Sequence, residues 1–447
     1  MVRGTVAGRG MAGRGVAGLV VSGLVAAGLV VGGAAAARAD GPRPPDVDGA
    51  GSGERPDARA LALPPSSTVG KLRFTSAERL APGVVARTFE TSGVGGPVLG
   101  NLLDVDLRSP GVRVGLLHPP KVAARRTVPS MADAQRALAG VNGDFFNISE
   151  TRPGVVPTGS SSGPEVDAGR PLKGAVPDGQ RFGPALPPGT SAKDVIGIGT
   201  DRRARLGRLH LTGTIRSKRT TIGLRGLNQY ALPVGSAGAF TRDWGSVSRL
   251  RAVCGTDTAR NGPCSTNTAE VAVRRGVVTR VRDRVGAGAI PRDTTVLVGR
   301  EKGANALREL RPGDRVKVSY RFTGPKRFRF AVGGFPILRD GEPLDGVSPR
   351  GPEPRTAAGV SRDGRRMFLV VADGRSDRSG GVTLAELASL LDKAGADAAV
   401  NLDGGGSSTF VARGRGEESV TVRNEPSDGT ERAVANGIGV FAAARRP

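Results

Sequence analysis

The sequence predicts an α+β fold: a mixed, strand-rich principal domain carrying a β-rich insertion or subdomain. Three observations carry this. Short segments rich in branched residues, many with period-two alternation, recur along most of the chain between Gly, Pro and Asp. Two stretches show helical spacing with start and stop signals. A continuous apolar run, Met367-Phe368-Leu369-Val370-Val371, has the length of a buried strand rather than a helix.

The elements follow in order. Arg3, Arg9 and Arg14 precede a run from Val16 to Ala37 containing only Ala, Gly, Leu, Val and one Ser, which ends in Ala37-Arg38-Ala39. This is a signal-peptide pattern over residues 1–39, with cleavage before Asp40 favoured over an uncleaved anchor. Residues 40–83 read as a disordered linker and lead-in, Pro/Gly/Asp/Arg-rich up to about Pro65. Residues 84–194 form the first part of the principal domain, with strands around Val84, Leu102–Leu107 and Val112–Val114. A helix capped by Ser130 and stopped by Gly140 leads into Val141–Phe146, and an irregular Gly/Pro/Ser-rich region follows. Residues 195–325 are the β-rich insertion. Residues 326–447 are the second part of the domain. Here Thr383 and Glu386 make a capping box for a helix with Leu384, Leu387 and Leu391 on one face, ended by Gly395. Ala398–Leu402 and Asn436–Phe441 are strands.

Composition restricts the chemistry. The net charge is +24, and 56 of the 65 basic residues are Arg, a bias that compositional drift explains as well as a polyanionic partner does. Lys326-Arg327-Phe328-Arg329-Phe330 interleaves charge and aromatics, but its alternation reads as a half-buried strand with Phe inward, so no nucleic-acid partner is expected. Beyond the leader no segment is long and apolar enough for stable membrane insertion, which predicts a secreted protein of the cell envelope. Cys254 and Cys264 bracket a Gly/Pro/Asn loop and read as one local disulfide. With only His118 and His210, His-rich zinc sites are excluded, and a Ser-His-Asp hydrolase would need one of these two as base. No cofactor is called for. The sequence is silent on metal, and no EF-hand spacing is present.

What remains is carboxylates, arginines, amides and glycine-exposed backbone. Asn401-Leu402-Asp403-Gly404-Gly405-Gly406-Ser407-Ser408 places a carboxylate at a strand end, followed by three glycines and two hydroxyls. That pattern suits a nest of backbone N–H groups for phosphate or sugar hydroxyls. Asp373-Gly374-Arg375 also leaves a buried strand, while Arg355-Thr356 and Glu431-Arg432 adjoin other strands. Together these arginines could recognise a phosphodiester through bidentate contacts. The aromatics Phe145, Phe146, Phe368 and Phe410 read as core, and Trp244 is a weak candidate for sugar stacking.

Val141–Phe146, Gly333-Gly334-Phe335-Pro336 with Asp340-Gly341, Arg355–Gly359, Val371–Arg375, Asn401–Ser408 and Asn424–Gly429 with Arg432 occur in that order. In wording and order they resemble the phosphodiester glycosidase domain family, over about residues 135–442. Asp144 and the long middle segment depart from its pattern. The resemblance implies hydrolysis of a sugar 1-phosphodiester, of the N-acetylglucosamine-1-phosphodiester kind, to free sugar and phosphomonoester. It implies catalytic roles for Asp373, Asp403 and Arg375. Substrate would be held by Asn142, Asp144, Arg355, Thr356, Asn401, Gly404, Gly405, Gly406, Ser407, Ser408 and Arg432. The substrate would be a sugar phosphate or a wall polymer. Two other readings stay open: a non-catalytic exported polysaccharide-binding protein, and a serine hydrolase using Ser407.

Overall fold

The computed structural model describes Ser52 and residues 58–442; the signal region and nearly all of residues 40–57 lie outside them. Strands dominate, gathered into four sheets. The largest has eight antiparallel strands in the order Arg73–Ala81, Val84–Gly93, Gly96–Asp106, Arg366–Ala372, Arg355–Val360, Ala398–Asn401, Phe335–Arg339 and Glu342–Pro343. The apolar run at 367–371 lies near its centre, covered on both faces, which is why it lacks alternation. A five-stranded sheet, in the order Thr421–Val422, Phe410–Ala412, Ala139–Asn142, Gly437–Phe441 and Arg113–Leu117, brings chain from both ends of the principal domain together.

The middle of the chain is β-rich, as its patterning predicts. Seven strands between His210 and Thr323 form a sheet of their own. Its separate core includes Ile215, Leu224, Val271 and Leu297, with Ala304 and Leu307 from the helix Lys302–Arg308. The two strands just before it, Asp194–Gly199 and Ala204–Arg208, instead join Glu165–Asp167, Arg170–Lys173 and Phe328–Gly333 in the remaining sheet. In the strand Phe328–Gly333, Phe328 and Phe330 are buried and Arg329 is exposed, as the alternation requires. Cys254 and Cys264 are disulfide-bonded.

Two local features differ in their outcome. The first main helix spans Val128–Gln135, and its N-cap is Thr127 rather than Ser130: the Thr127 side chain accepts the Ser130 N–H. Pro129 fits the first turn, where no amide hydrogen is needed. The helix ends at Arg136 in a left-handed conformation (φ 57°), and Gly140, expected as its stop, lies within the strand Ala139–Asn142. The apolar spacing through Leu138 continued into a strand, and spacing alone does not separate the two. The second helix, Leu384–Lys393, has the predicted capping box. Fully buried Glu386 does more than cap. One carboxylate oxygen accepts the Thr383 N–H at 2.9 Å, and the other accepts the Val94 N–H at 2.7 Å from the hairpin across the sheet.

Glu386→Ala therefore leaves two amide donors without their acceptor and should lower unfolding free energy by about 2–4 kcal/mol. Glu386→Gln keeps an acceptor oxygen and should lose less than half as much. Denaturant unfolding followed by the fluorescence of buried Trp244 measures both; equal losses would show that helix packing, not these bonds, sets the effect.

Candidate functional site

The site is built around the end of the strand Ala398–Asn401, which lies between Arg355–Val360 and Phe335–Arg339. Beyond it the chain leaves the sheet in steps fixed by hydrogen bonds. Leu402 N–H bonds to Thr356 O at 2.9 Å, Asp403 N–H to Gly143 O at 2.8 Å, and Gly405 N–H to Pro354 O at 2.9 Å. A 3-10 turn follows over Gly405–Ser407. Gly405 takes φ 59°, a conformation that favours glycine, and a Cβ on Gly406 would lie 2.1 Å from Asp428 Oδ2 and 2.2 Å from an Arg432 Nη, so a side chain there would push that pair aside.

Three of the turn's amides are used within the chain: the N–H groups of Gly405, Ser407 and Ser408 bond to the carbonyls of Pro354, Gly404 and Gly405. The turn also presents side chains. Asn401 Oδ1 and Nδ2, Ser407 Oγ and Ser408 Oγ are buried and have no hydrogen-bond partner among the described residues. Native interiors pair nearly all such groups, so four orphans at one turn point to a bound partner. Among the described residues no base bonds to the Ser407 hydroxyl. Asp403 is buried beside them, and its Oδ1 accepts the backbone N–H of Ser52 at 2.7 Å. Ser52 Oγ in turn accepts the Phe146 N–H at 2.9 Å. An N–H donor for a ligand oxygen and a carboxylate acceptor thus face one position.

Several residues expected at the site are joined by Asn142. Its Oδ1 accepts from Thr356 Oγ1 at 2.7 Å and from Thr409 N–H at 3.0 Å, and its Nδ2 donates to Asp403 O at 2.6 Å. Asn142 and Thr356 are therefore bonded to the protein and position the Asp403 turn. Asp144 is buried too, its Oδ2 accepting Gly163 N–H at 2.5 Å beside Lys173 and Arg181. Burial pushes its carboxyl up to about 6 and the Lys173 ammonium down to about 8.

The arginines divide. Arg355 is buried and donates to Val382 O at 3.1 Å and Gly351 O at 2.8 Å. Arg375, at φ 60°, pairs with buried Glu353 at 2.5 Å. Arg432 bonds to Asp428 (2.5 and 3.1 Å) directly against Gly406. Asp373 opens into a pocket of about 540 Å³ whose walls include Asn101, Arg378, Arg423, Asn424 and Glu425, with Asp403 absent from its lining. The two are linked through Asn424, whose Nδ2 donates to Asp373 Oδ1 at 3.2 Å and to Ser408 O at 3.1 Å. Burial raises the Asp373 carboxyl to about 6, against hydrogen bonds from Asn424 and the Glu425 N–H.

Sequence reading missed Ser52, the Phe146 N–H and Asn436. Asn436 accepts Asp144 N–H through Oδ1 at 2.9 Å and donates to Glu165 at 2.8 Å. Only Asn436, a polar residue immediately before an apolar strand, carried a local signal. Trp244 is fully buried, donates to Val247 O at 3.0 Å and packs edge-on to Phe240, so it stacks on no ligand. Among the described residues no cluster of three or more His, Cys, Asp or Glu could hold a metal ion.

Residues 267–441 match the phosphodiester glycosidase family model, so the resemblance read from the motifs is borne out there. The match contains Arg355, Asp373, Asp403 and Arg432 and begins inside the seven-stranded sheet. A curated relative, the SPbeta prophage-derived uncharacterized protein YomE of Bacillus subtilis (strain 168), is 40% identical over 85 residues, 19% of this chain. That alignment spans only 12% of the relative's length. Among solved structures, a hypothetical protein from Synechocystis aligns at TM-score 0.64 and 21% identity, covering 83% of this chain and 64% of its own. A Burkholderia pseudomallei K96243 protein named "putative exported protein" aligns at TM-score 0.63 and 20% identity, covering 87% of this chain and 100% of its own. At these identities they establish the fold.

Asp373 makes stability depend on pH. Its folded carboxyl, near 6 against an ordinary 3.8, holds a proton more tightly than the unfolded chain does. Its contribution is complete below about pH 4 and is lost as pH rises through 6. Asp373→Asn removes this term, so between pH 4 and pH 7 the variant should gain about 2 kcal/mol relative to wild type. Parallel denaturation curves at the two pH values test this; a constant difference would refute it.

Proposed function

We propose that the chain is an exported hydrolase that cleaves the glycosidic bond of a sugar 1-phosphodiester, of the N-acetylglucosamine-1-phosphodiester kind. Water adds to the sugar carbon, the carbon–oxygen bond to phosphate breaks, and free sugar and a phosphomonoester result. The observation that carries the reading is the buried carboxylate of Asp403 set among the orphaned polar groups of Asn401, Ser407 and Ser408, with Arg432 against the same turn. The family match supports it. So do the leader-like N-terminus, the disulfide and a structural neighbour named "putative exported protein" on the side of export.

The chemistry follows from the leaving group. Phosphate departs as a weak base and needs little protonation, so charge is the main requirement. Asp403 stabilises positive charge developing at the sugar carbon, while Asn401, Ser407 and Ser408 hold sugar hydroxyls and Arg432 faces the phosphate. Asp373, near 6, takes the proton from water when ionised. Arg355 and Arg375 support the walls through Val382, Gly351 and Glu353.

Release of free sugar from N-acetylglucosamine-1-phosphodiester by the chain from Asp40 onward is the test. Asp403→Asn should lose about 100-fold or more in kcat. Wild-type kcat should fall as pH drops below about 6, where Asp373 becomes protonated, and this limb should vanish in Asp373→Asn. Binding of wall polymer without turnover would favour the polysaccharide-binding reading instead.

In this reading Ser52, bonded to Asp403 and Phe146, stands where substrate must bind. A chain beginning at residue 58 should therefore show a lower KM than one beginning at Asp40. Equal KM values would show that Ser52 yields the position freely.

A further inference from the structure

We propose that Arg125, a residue outside every motif, is the second arm of the anion clamp and grips the phosphate oxygens opposite Arg432. The inference rests on the phosphodiester reading of the Asp403 site.

The geometry brings Arg125 there by two routes. Residues 126 and 434 form an antiparallel bridge, with Arg126 N–H to Val434 O at 3.0 Å and Val434 N–H to Arg126 O at 2.9 Å. This lays the segment bearing Arg125 alongside the segment bearing Arg432. On the other side the Arg125 guanidinium lies over the Phe146 ring, 5.9 Å from its centroid. Phe146 is the residue whose N–H meets Ser52 Oγ next to Asp403. Gly159, at φ 72°, approaches the Arg125 stem so closely that a Cβ there would lie 2.9 Å from Arg125 Cγ. Ring and loop thus set the direction of a long side chain that would otherwise wander in solvent.

Its electrostatic setting suits an anion. Arg125 is exposed and makes no hydrogen bond or ion pair with any described residue. Desolvation by neighbouring protein, and then the charge of Arg432, lower its pKa, so the two guanidinium groups feel one another. Asp428 hydrogen-bonds to Arg432 and not to Arg125. Two guanidinium groups held near each other repel, and an oxyanion with oxygens on two sides relieves the repulsion. Arg355 and Arg375, the motif arginines, are engaged by backbone carbonyls and a buried carboxylate, which leaves the outer arginine to meet the ligand's charge.

The test compares wild type, Arg125→Ala, Arg125→Lys and the neighbour control Arg126→Ala. It uses two readouts: turnover of N-acetylglucosamine-1-phosphodiester, and calorimetric binding of inorganic phosphate. Arg125→Ala should raise KM and weaken phosphate binding about tenfold or more, with kcat changed much less. Arg125→Lys should recover part of both, and Arg126→Ala neither change. If wild type turns over substrate while Arg125→Ala keeps KM and phosphate affinity within twofold, the clamp is wrong and the glycosidase reading stands. If phosphate binding depends on Arg125 without any turnover, the clamp stands and the substrate reading falls. A folded wild type that neither binds phosphate nor turns over substrate overturns both.

Discussion

The site depends on the buried amide of Asn142. Asn142 ends a strand of the five-stranded sheet, Thr356 lies in the eight-stranded sheet, and Asp403 and Thr409 bracket the chain that passes between them. One side chain bonds to all three partners. An amide is suited to this because it has both donor and acceptor atoms, and Oδ1 accepts two bonds here while Nδ2 donates. A carboxylate would lack the donor for Asp403 O, and an apolar residue would leave Thr356, Thr409 and Asp403 with buried groups unsatisfied. The position of the candidate catalytic carboxylate is therefore fixed by backbone held from two sheets, not by loop packing.

A second layer holds Asn142's neighbours. Asp403 N–H rests on Gly143 O, Gly143 N–H on Asn436 O, and Asp144 N–H on Asn436 Oδ1. Asn436 passes the chain on to Glu165, and Lys173 ties down the carbonyls of Gly163 and Gly174. Burying so many ionisable groups is unfavourable, which is visible in Asp144 pushed up and Lys173 pushed down. Removing one member would strand the others. The cluster therefore fixes one arrangement of the loops beneath Asp403, at the expense of stability that an apolar core would supply.

The fold was legible where local signals and tertiary environment agree. The capping box at Thr383 and Glu386, the central strand at 367–371 and the Phe-in, Arg-out strand at 328–330 all follow from side-chain pattern. The first helix was misread at both ends because Thr127 and Ser130 are equally good caps in sequence, and because Arg136 ends the helix in a conformation that favours Gly or Asn. The glycine turn stood out in sequence, but its hydrogen bonding did not. The amides of Gly405, Ser407 and Ser408 are used within the chain, and the orphaned groups are side chains, a distinction that needs coordinates. Contacts such as Ser52 with Asp403, separated by 351 residues, leave no trace in any local window.

The same limit governs the arginines. In sequence Arg355, Arg375 and Arg432 look alike: each adjoins a strand end or a small-residue stretch, and each could face an anion. Their partners separate them. Arg355, in the interior, must satisfy several N–H donors from whatever acceptors surround it and is drawn onto carbonyls, while half-buried Arg375 is drawn onto buried Glu353. Those partners make them good supports for a wall. The orphaned amide and hydroxyls at Asn401, Ser407 and Ser408 show the reverse condition: groups kept buried without partners, each at about 1–3 kcal/mol. A fold tolerates that only where its surroundings are overdetermined, and the two-sheet junction at Asn142 supplies that rigidity. The unfavourable groups and the strongest bracing thus lie at one turn, and in the proposed function the substrate's hydroxyls are what would complete the hydrogen bonding there.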